Sequence, residues 1–236
     1  MKRLFQLVVI LGLIAGTTSC SILSKTRKMK EEKVQIETTE GVIVVKLYNE
    51  TPLHRDNFLK LVKDKFYDGV LFHRVIADFM IQGGDPDSKN AKPNAQLGGG
   101  DIGYTIPAEF KTPVIYHKKG ALAAARQGDN VNPQKASSGC QFYIVEGRTF
   151  TDAEINNMEA GRKMRFGNTA DSTYLYSEQA RNDYKTIGGT PHLDGNYTVF
   201  GEVVEGIEIV EKISKIKTNS SDRPLEDVKI LKMRKQ

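Results

Sequence analysis

One short stretch of the chain concentrates residue types that can do chemistry. This stretch, "FHRVIADFMIQGGDP", spans residues 72–86, and its apolar side chains predict a buried segment, although Arg74 lies in its middle and a polar turn begins at Gln82. A guanidinium carries a permanent charge and five N–H donors in a fixed planar fork. Because burying such a group is unfavourable unless its donors are satisfied, we expect Arg74 to donate to a specific acceptor.

The sequence lacks the residue spacing of other common active sites. The four histidines and Cys140 show no metal-ligand spacing, and "ASSGC" is not the G-x-S-x-G pattern of a hydrolase nucleophile. "GGGDIG", residues 98–103, has the glycine spacing of a dinucleotide-binding loop, but Pro107 follows where that site requires a helix. We therefore expect a tight loop here, and neither a metal nor a cofactor.

The elements that must position Arg74 are mostly short strands. "VQIETTEGVIVVKL" predicts a β-hairpin and "EDVKILKM" a last strand, while "GIEIVEKISKI" predicts a helix. Another helix is predicted after Thr51 as N-cap, with Pro52 at its first position. Short strands with few helices indicate an antiparallel barrel or sandwich. The remaining predicted strands are residues 70–76, 79–82, 120–125, 140–145 and 197–204.

Residues 151–190 interrupt this succession of strands. They are polar, Thr151 and Glu154 have the spacing of a capping box, and Ser177 is placed to cap a second helix. So short a segment with few large apolar groups cannot bury a core of its own. We therefore expect a helical insertion packed on the outside of the β domain.

The N-terminus has the layout of an export signal. "MKRLFQLVVILGLIAGTTSC" has a basic start, an apolar run too short for a comfortable membrane span, and then small residues. We expect residues 1–19 to be a signal peptide and Cys20 to be the lipidated N-terminus of a bacterial lipoprotein, followed by a tether to residue 33. The alternatives are cleavage nearby with a free thiol at Cys20, and a short exposed helix in place of the tether.

These features predict a lipid-anchored protein of the cell envelope that faces the periplasm. With Cys20 lipidated, only Cys140 remains, so no intramolecular disulfide is possible. Without residues 1–19, which carry Lys2 and Arg3, the net charge falls from +5 to +3 (5 − 2). This charge is spread along the chain, and we therefore expect no nucleic-acid partner.

Four blocks together resemble the cyclophilin family of peptidyl-prolyl cis–trans isomerases: "FHRVIADFMIQGGDP", "GALAAARQ", "SSGCQFYIVEG" and "HLDGNYTVFGEV". The resemblance covers the predicted domain, residues 34–236, apart from the insertion. It implies a mainly β fold, a closed eight-stranded antiparallel β-barrel capped by two helices. It also implies a monomer without a cofactor, which acts on proline-containing polypeptides.

The resemblance assigns roles to individual residues. Arg74 would be the catalytic residue, donating to the prolyl nitrogen when rotation localises its lone pair, while Gln82 would bind substrate backbone and hold Arg74. The alternatives are a structural arginine between strands and ordinary core packing of the apolar side chains. The other substrate-binding positions would be His73, Phe79, Met80, Ala125, Arg126, Gln141, Tyr143, His192, Leu193 and Tyr197. Among these, the apolar pocket for the proline ring would be formed by Phe79, Met80, Tyr143 and Leu193.

Four of these positions depart from common members of the family. Tyr143 stands where phenylalanine is common, His192 where tryptophan is common, Tyr197 where histidine is common and Arg126 where asparagine is frequent. Arg126 adds a positive charge, which predicts a preference for substrates with acidic flanks.

Three functions remain open at this point. The first is an isomerase that assists the folding of exported proteins. The second is a non-catalytic module that binds proline-containing segments or a partner, and the third is an envelope structural lipoprotein with a vestigial groove. The presence of Arg74, Phe79, Met80 and Gln82 together favours the enzyme.

Overall fold

The computed structural model describes residues 31–93, 95–166 and 175–236, with side chains for all of these except residues 163–166. The predicted signal peptide, Cys20 and most of the predicted tether lie outside the described residues. Within the described part of the chain, no helix is long and apolar enough to cross a membrane.

The centre of the described fold is one curved antiparallel sheet of eight strands. Its strand order is β10-β1-β2-β9-β6-β8-β4-β3, and β5 and β7 form a separate pair. The predicted hairpin is confirmed, because β1 and β2 pair from Lys33 opposite Lys46 to Thr38 opposite Gly41. The strands are β1 (Lys33–Thr38), β2 (Gly41–Leu47), β3 (Phe72–Ile76), β4 (Met80–Gly83), β5 (Thr105–Ile106), β6 (Ala121–Ala124), β7 (Ser137–Ser138), β8 (Phe142–Val145), β9 (Val199–Glu205) and β10 (Ile230–Lys235).

The prediction of a closed barrel is wrong, because the sheet is an open, curled half-barrel with β3 and β10 at its edges. The segments that precede these strands meet only at an isolated bridge, Leu71 opposite Lys229, with a few backbone hydrogen bonds around it. Further along β3, the N–H of Val75 donates to the carbonyl of Asp222 at 2.8 Å. A loop therefore occupies the edge of β3 where a closed barrel would place β10.

The described residues contain four α-helices, two outside residues 151–190 and two within them: α1 (Pro52–Lys63), α2 (Asp152–Phe166), α3 (Glu178–Thr186) and α4 (Ile207–Ser214). The two helices expected outside the insertion are confirmed as α1 and α4. Each buries one apolar face in the main core, α1 through Phe58, Leu61 and Val62 and α4 through Val210 and Ile213. Burying each such side chain stabilises the fold by roughly 1.5–3 kcal/mol.

The start of α1 differs from its prediction. Thr51 is at the N-cap position, but its hydroxyl makes no capping hydrogen bond. Instead the Glu109 carboxylate accepts from the backbone N–H of Leu53 at 3.2 Å and of His54 at 3.0 Å. Glu109, which is distant in the sequence, therefore accepts the hydrogen bonds at the start of the helix for which the local sequence predicts Thr51 as acceptor.

Helices α2 and α3 lie within residues 151–190. The predicted capping box is present at α2, because Thr151 N donates to Glu154 Oε2 at 2.8 Å and Glu154 N donates to Thr151 Oγ1 at 3.3 Å. Ser177 caps α3 by accepting from Ala180 N at 3.1 Å. The two helices enclose a small cluster in which Ile155 and Tyr184 are fully buried.

Candidate active site

The β3–β4 hairpin places Arg74 beside Gln82. The register pairs Arg74 with Gln82 and Ile76 with Met80. The chain reverses at Asp78, which has a φ of +59°. Two strands joined by so short a turn bring the first half of "FHRVIADFMIQGGDP" alongside the second, and one face of the hairpin carries Arg74, Gln82 and Met80.

Arg74 is half exposed rather than buried, which corrects the expectation drawn from its apolar neighbours. Its side chain is 43% exposed, and its Nε donates to Asp222 Oδ2 at 3.3 Å. Asp222 lies in the loop that covers the edge of β3. The other N–H groups of the guanidinium have no hydrogen-bond partner among the described residues, so they are available to a ligand.

Gln82 does not hold Arg74 as the resemblance implied. Its side-chain amide donates instead to Gln141 Oε1 at 3.0 Å. The Gln141 amide in turn donates to the carbonyls of Gly98 at 3.0 Å and Gly100 at 2.8 Å. Asp222 therefore orients the guanidinium, and Gln82 belongs to a separate chain of amide hydrogen bonds.

The glycine-rich segment is a loop, as predicted, and it closes one side of the site. Asp85 accepts hydrogen bonds from the N–H groups of Gly98 and Gly100. At Gly100 an added Cβ would lie 2.1 Å from Asp85 Oδ1, so only glycine permits this close approach. The loop carries Gly98 and its neighbour Leu97 to the rim of the site.

A cavity of about 290 Å³ opens beside Arg74. Its walls include Met80 and Tyr143, which are 2% and 4% exposed and belong to a second hydrophobic cluster on the outer face of the sheet. Sequence reasoning missed three lining residues, Leu97, Gly98 and Ser221, because loops far apart in the chain supply them. The predicted site residues that line the cavity are His73, Arg74, Phe79, Met80, Gln82, Ala125, Arg126, Tyr143, Leu193 and Tyr197.

Two predicted site residues do not line this cavity. Gln141 lies in an adjoining cavity of about 600 Å³ that shares Gln82, Ala125 and Arg126 with the first. His192 stacks on the Phe79 ring, with centroids 5.6 Å apart and planes inclined by 27°. His192 thus supports a wall of the cavity from behind.

His73 is a neutral, buried imidazole at the cavity wall. Burial lowers the pKa of His73 to about 4, so the ring is uncharged at neutral pH. It is 3% exposed, and neither ring nitrogen has a hydrogen-bond partner among the described residues. Both ring nitrogens are buried, so His73 packs in the wall of the cavity rather than offering hydrogen-bonding groups to a ligand.

The charge of Arg126 is already paired, which contradicts the expectation that it attracts acidic substrates. Its guanidinium contacts Asp129 Oδ1 at 2.7 Å, and the side chain is only 4% exposed. Its Nε donates to the carbonyl of Asn196 at 2.7 Å, and the guanidinium lies 4.5 Å from the centre of the Tyr197 ring. Arg126 therefore joins two walls of the cavity.

The described residues contain neither a cluster of metal-ligating side chains nor an activated thiol. Among them, no group of three or more His, Cys, Asp or Glu side chains is placed to hold a metal ion. Burial raises the pKa of the Cys140 thiol to about 11, which keeps it protonated and a poor nucleophile.

Comparison with known proteins agrees with this geometry. The model of the family "Cyclophilin type peptidyl-prolyl cis-trans isomerase/CLD" matches residues 33–235. A protein of Staphylococcus haemolyticus (strain JCSC1435), provisionally named a peptidyl-prolyl cis-trans isomerase, is 34% identical over 210 residues, which are 88% of this chain and 93% of that protein.

Solved structures show the same fold. The crystal structure of a cyclophilin type peptidyl-prolyl cis-trans isomerase of Cryptosporidium parvum has a TM-score of 0.60 and 21% identity, covering 88% of this chain and 98% of that one. A second structure of that protein, in the presence of the dipeptide Ala-Pro, has a TM-score of 0.57 and 21% identity, covering 85% and 96% of the two chains. The chain described here belongs to the family of cyclophilin-type peptidyl-prolyl cis–trans isomerases.

Proposed function

We propose that this protein accelerates rotation about X-Pro peptide bonds in exported polypeptides, with Arg74 as its catalytic residue. The observation that carries the proposal is the position of the Arg74 guanidinium. It lies at the edge of the cavity, is anchored through Nε by Asp222, and keeps its remaining donors free. The Ala-Pro dipeptide named with the Cryptosporidium parvum relative supports a proline-containing substrate.

The reaction requires no covalent bond between the substrate and the enzyme. Rotation is slow because the nitrogen lone pair is delocalised into the carbonyl, which gives a barrier of about 18–20 kcal/mol. A donor aimed at the prolyl nitrogen binds strongly only when rotation has localised that lone pair. Arg74 would therefore favour the twisted state over both planar isomers, which lowers the barrier.

The cavity would hold the proline ring during this rotation. Met80 and Tyr143 form buried walls, and Phe79 and Leu193 complete the apolar surface nearest to them. A ring fixed in such a pocket remains in place while the residue before it turns. Orientation of this kind lowers the entropic part of the barrier.

Polar groups around the cavity would bind the substrate backbone. His73 is poorly placed for this role, because both of its ring nitrogens are buried. Ala125 is also poorly suited, because its own N–H donates to the Gln141 carbonyl and its own carbonyl accepts from Ser138 N. The backbone groups of Arg126 make no hydrogen bond to another described residue, so we assign the main-chain contact to Arg126.

The proposed setting is the cell envelope. We infer a monomer that is anchored through lipid on Cys20, faces the periplasm and acts on exported proteins. The support is the N-terminal sequence: a basic start, a short apolar run and small residues before a cysteine. Replacing Cys20 by alanine should move the protein from the membrane fraction to the soluble fraction, and retention in the membrane would contradict the lipid anchor.

A single assay separates the isomerase from a module that only binds proline-containing segments. Exchange between the cis and trans forms of a short X-Pro peptide is measured by NMR with and without the protein, together with the affinity for the same peptide. We expect accelerated exchange. Binding with exchange no faster than in buffer would support the binding module and contradict the isomerase.

A further inference from the structure

A buried chain of polar side chains connects the helical insertion to the cavity. Tyr184 of α3 donates its hydroxyl hydrogen to Asp194 Oδ2 at 2.5 Å. Asp194 Oδ1 lies 2.7 Å from His117 Nδ1 and also accepts from the backbone N–H of His117 at 2.8 Å. His117 Nε2 lies 3.0 Å from the hydroxyl of Tyr143. These four side chains are between 0% and 4% exposed.

The direction of each hydrogen bond follows from the partners. Asp194 accepts at Oδ1, so His117 donates from Nδ1, and in the neutral ring Nε2 is then an acceptor. Tyr143 has no second acceptor for its hydroxyl hydrogen among the described residues. The network is therefore fully satisfied when Tyr143 donates to His117, and the protons of Tyr143 and His117 then both point away from the cavity towards Asp194.

This chain determines how the Tyr143 ring sits in the cavity wall. The ring is nearly parallel to His117, with planes inclined by 12°, and meets Tyr197 edge to face, with centroids 6.0 Å apart. The hydroxyl of Tyr143 would lose its partner if the whole side chain swung or shifted towards the cavity. A buried hydroxyl without a partner is unfavourable, so His117 opposes that movement.

The insertion also braces the part of the wall that carries Leu193. Arg162 of α2 donates to the backbone carbonyl of Asp194 at 2.8 Å, and Tyr176 donates to that of Pro191 at 2.9 Å. The short 3-10 helix Pro191–Leu193 lies between these contacts and supplies Leu193 to the cavity. Two walls of the cavity thus depend on the residues of the insertion.

We propose that Tyr184, Asp194 and His117 are positioning residues, through which the helical insertion holds Tyr143 in the orientation that fits a proline ring. This inference rests on the proposed isomerase function. None of the three residues contacts the substrate, since each acts through Tyr143.

A double-mutant cycle between Tyr184→Phe and Tyr143→Phe tests the coupling. With Tyr143 intact, we expect Tyr184→Phe to lower kcat/KM for an X-Pro peptide about threefold to tenfold, the effect of one hydrogen bond. With Tyr143→Phe already present there is no hydroxyl left to orient. Adding Tyr184→Phe should then change kcat/KM less than about twofold.

Tyr116→Phe is the matched control. Tyr116 packs against Tyr184 in the same cluster, with centroids 5.7 Å apart, but its hydroxyl donates to Asp183. We expect this variant to retain the wild-type kcat/KM. A loss equal to that of Tyr184→Phe, or an effect of Tyr184→Phe that is the same in both backgrounds, would show that the insertion contributes stability alone.

Two further readouts separate this inference from the proposed function. The same four proteins are also compared in their affinity for the peptide. If the wild type shows no turnover, the isomerase function is contradicted, and the affinities still show whether Tyr184 and Tyr143 are coupled. Imidazole ¹⁵N NMR of the wild type should show His117 protonated at Nδ1 alone, and Tyr143→Phe should shift the Nε2 resonance. A proton on Nε2 would overturn the inference even if Tyr184→Phe fails to fold.

Discussion

The Nε of Arg74 lies 3.3 Å from Oδ2 of Asp222, although the two residues are 148 positions apart in the chain. The contact exists because the loop carrying Asp222 runs along the edge of β3, where Val75 donates to the Asp222 carbonyl. Asp222 itself has a φ of +60°, a conformation that aspartate and asparagine tolerate better than most residues. The open edge of the sheet is thus what places a carboxylate behind the Arg74 guanidinium.

Asp222→Asn should lower the catalysed rate modestly. Both side chains are about two-fifths exposed, so the ion pair contributes at most about 1 kcal/mol. We expect kcat/KM to fall about twofold to fivefold while the melting temperature stays unchanged, since asparagine preserves the turn. The control is Asp68→Asn, which weakens a comparable pair with Arg234 far from the cavity and should leave kcat/KM unaltered. Equal losses in the two variants would contradict a specific role for Asp222.

His73 should make the protein less stable in acid. Its pKa is lowered to about 4 in the fold, against about 6.5 when unfolded, so between these values the unfolded chain binds more protons. The free energy of unfolding therefore decreases as pH falls from about 6.5 to about 4, by up to about 3 kcal/mol. Denaturant unfolding at several pH values should show a shallower dependence in His73→Gln. A slope that is unchanged in this variant would mean that folding does not lower the pKa of His73.

Glu109, rather than Thr51, should stabilise the start of α1. Glu109→Gln removes charge from an acceptor of two backbone N–H groups and His54 Nδ1, and we expect a loss of about 1–2 kcal/mol in the free energy of unfolding. Thr51→Val replaces a buried hydroxyl that has no partner among the described residues, and it should be neutral or stabilising. Chemical denaturation distinguishes the two variants. A larger loss in Thr51→Val would restore the capping role that the local sequence suggests.

Arg126 should confer no preference for acidic substrates while Asp129 pairs with it. Peptides with the sequences Glu-X-Pro and Lys-X-Pro should be isomerised within about twofold of each other, because the guanidinium is already neutralised at 2.7 Å. Asp129→Asn removes the partner and should favour the Glu-X-Pro peptide. A clear preference in the wild type, unaltered by Asp129→Asn, would show that the charge of Arg126 reaches the substrate.

Local patterns in the sequence predict much of this fold. The hairpin β1–β2 follows from alternating β-branched residues, and the caps at Thr151 and Ser177 follow from spacing within four residues. The contiguous block from Phe72 to Pro86 also places Arg74 against Gln82 and Met80, since a tight turn leaves little freedom of register. Such features depend only on neighbours in the chain.

The contacts that sequence reasoning missed join distant loops. Hydrogen bonds join Asp222 to Arg74, Glu109 to His54 and Tyr143 to His117, and the partners are far apart in the sequence. No local pattern in the sequence predicts these pairs. The closed barrel was predicted from resemblance, whereas the edge of β3 pairs with a loop. The burial of Arg74 was inferred from apolar neighbours, but residues on opposite faces of a strand alternate, so those neighbours do not bury it.

The measurement that bears most directly on the central claim compares wild type with Arg74→Ala in catalysed cis–trans exchange of an X-Pro peptide. Arg74→Lys serves as the matched variant, because it keeps the charge but loses the planar fork. A charged hydrogen bond made only in the twisted state contributes about 1.5–3 kcal/mol, which corresponds to a loss of about 10- to 100-fold. We predict that loss in Arg74→Ala, with affinity for the peptide within about threefold of wild type. Catalysed exchange in Arg74→Ala within about twofold of wild type would contradict the assignment of Arg74 as the catalytic residue.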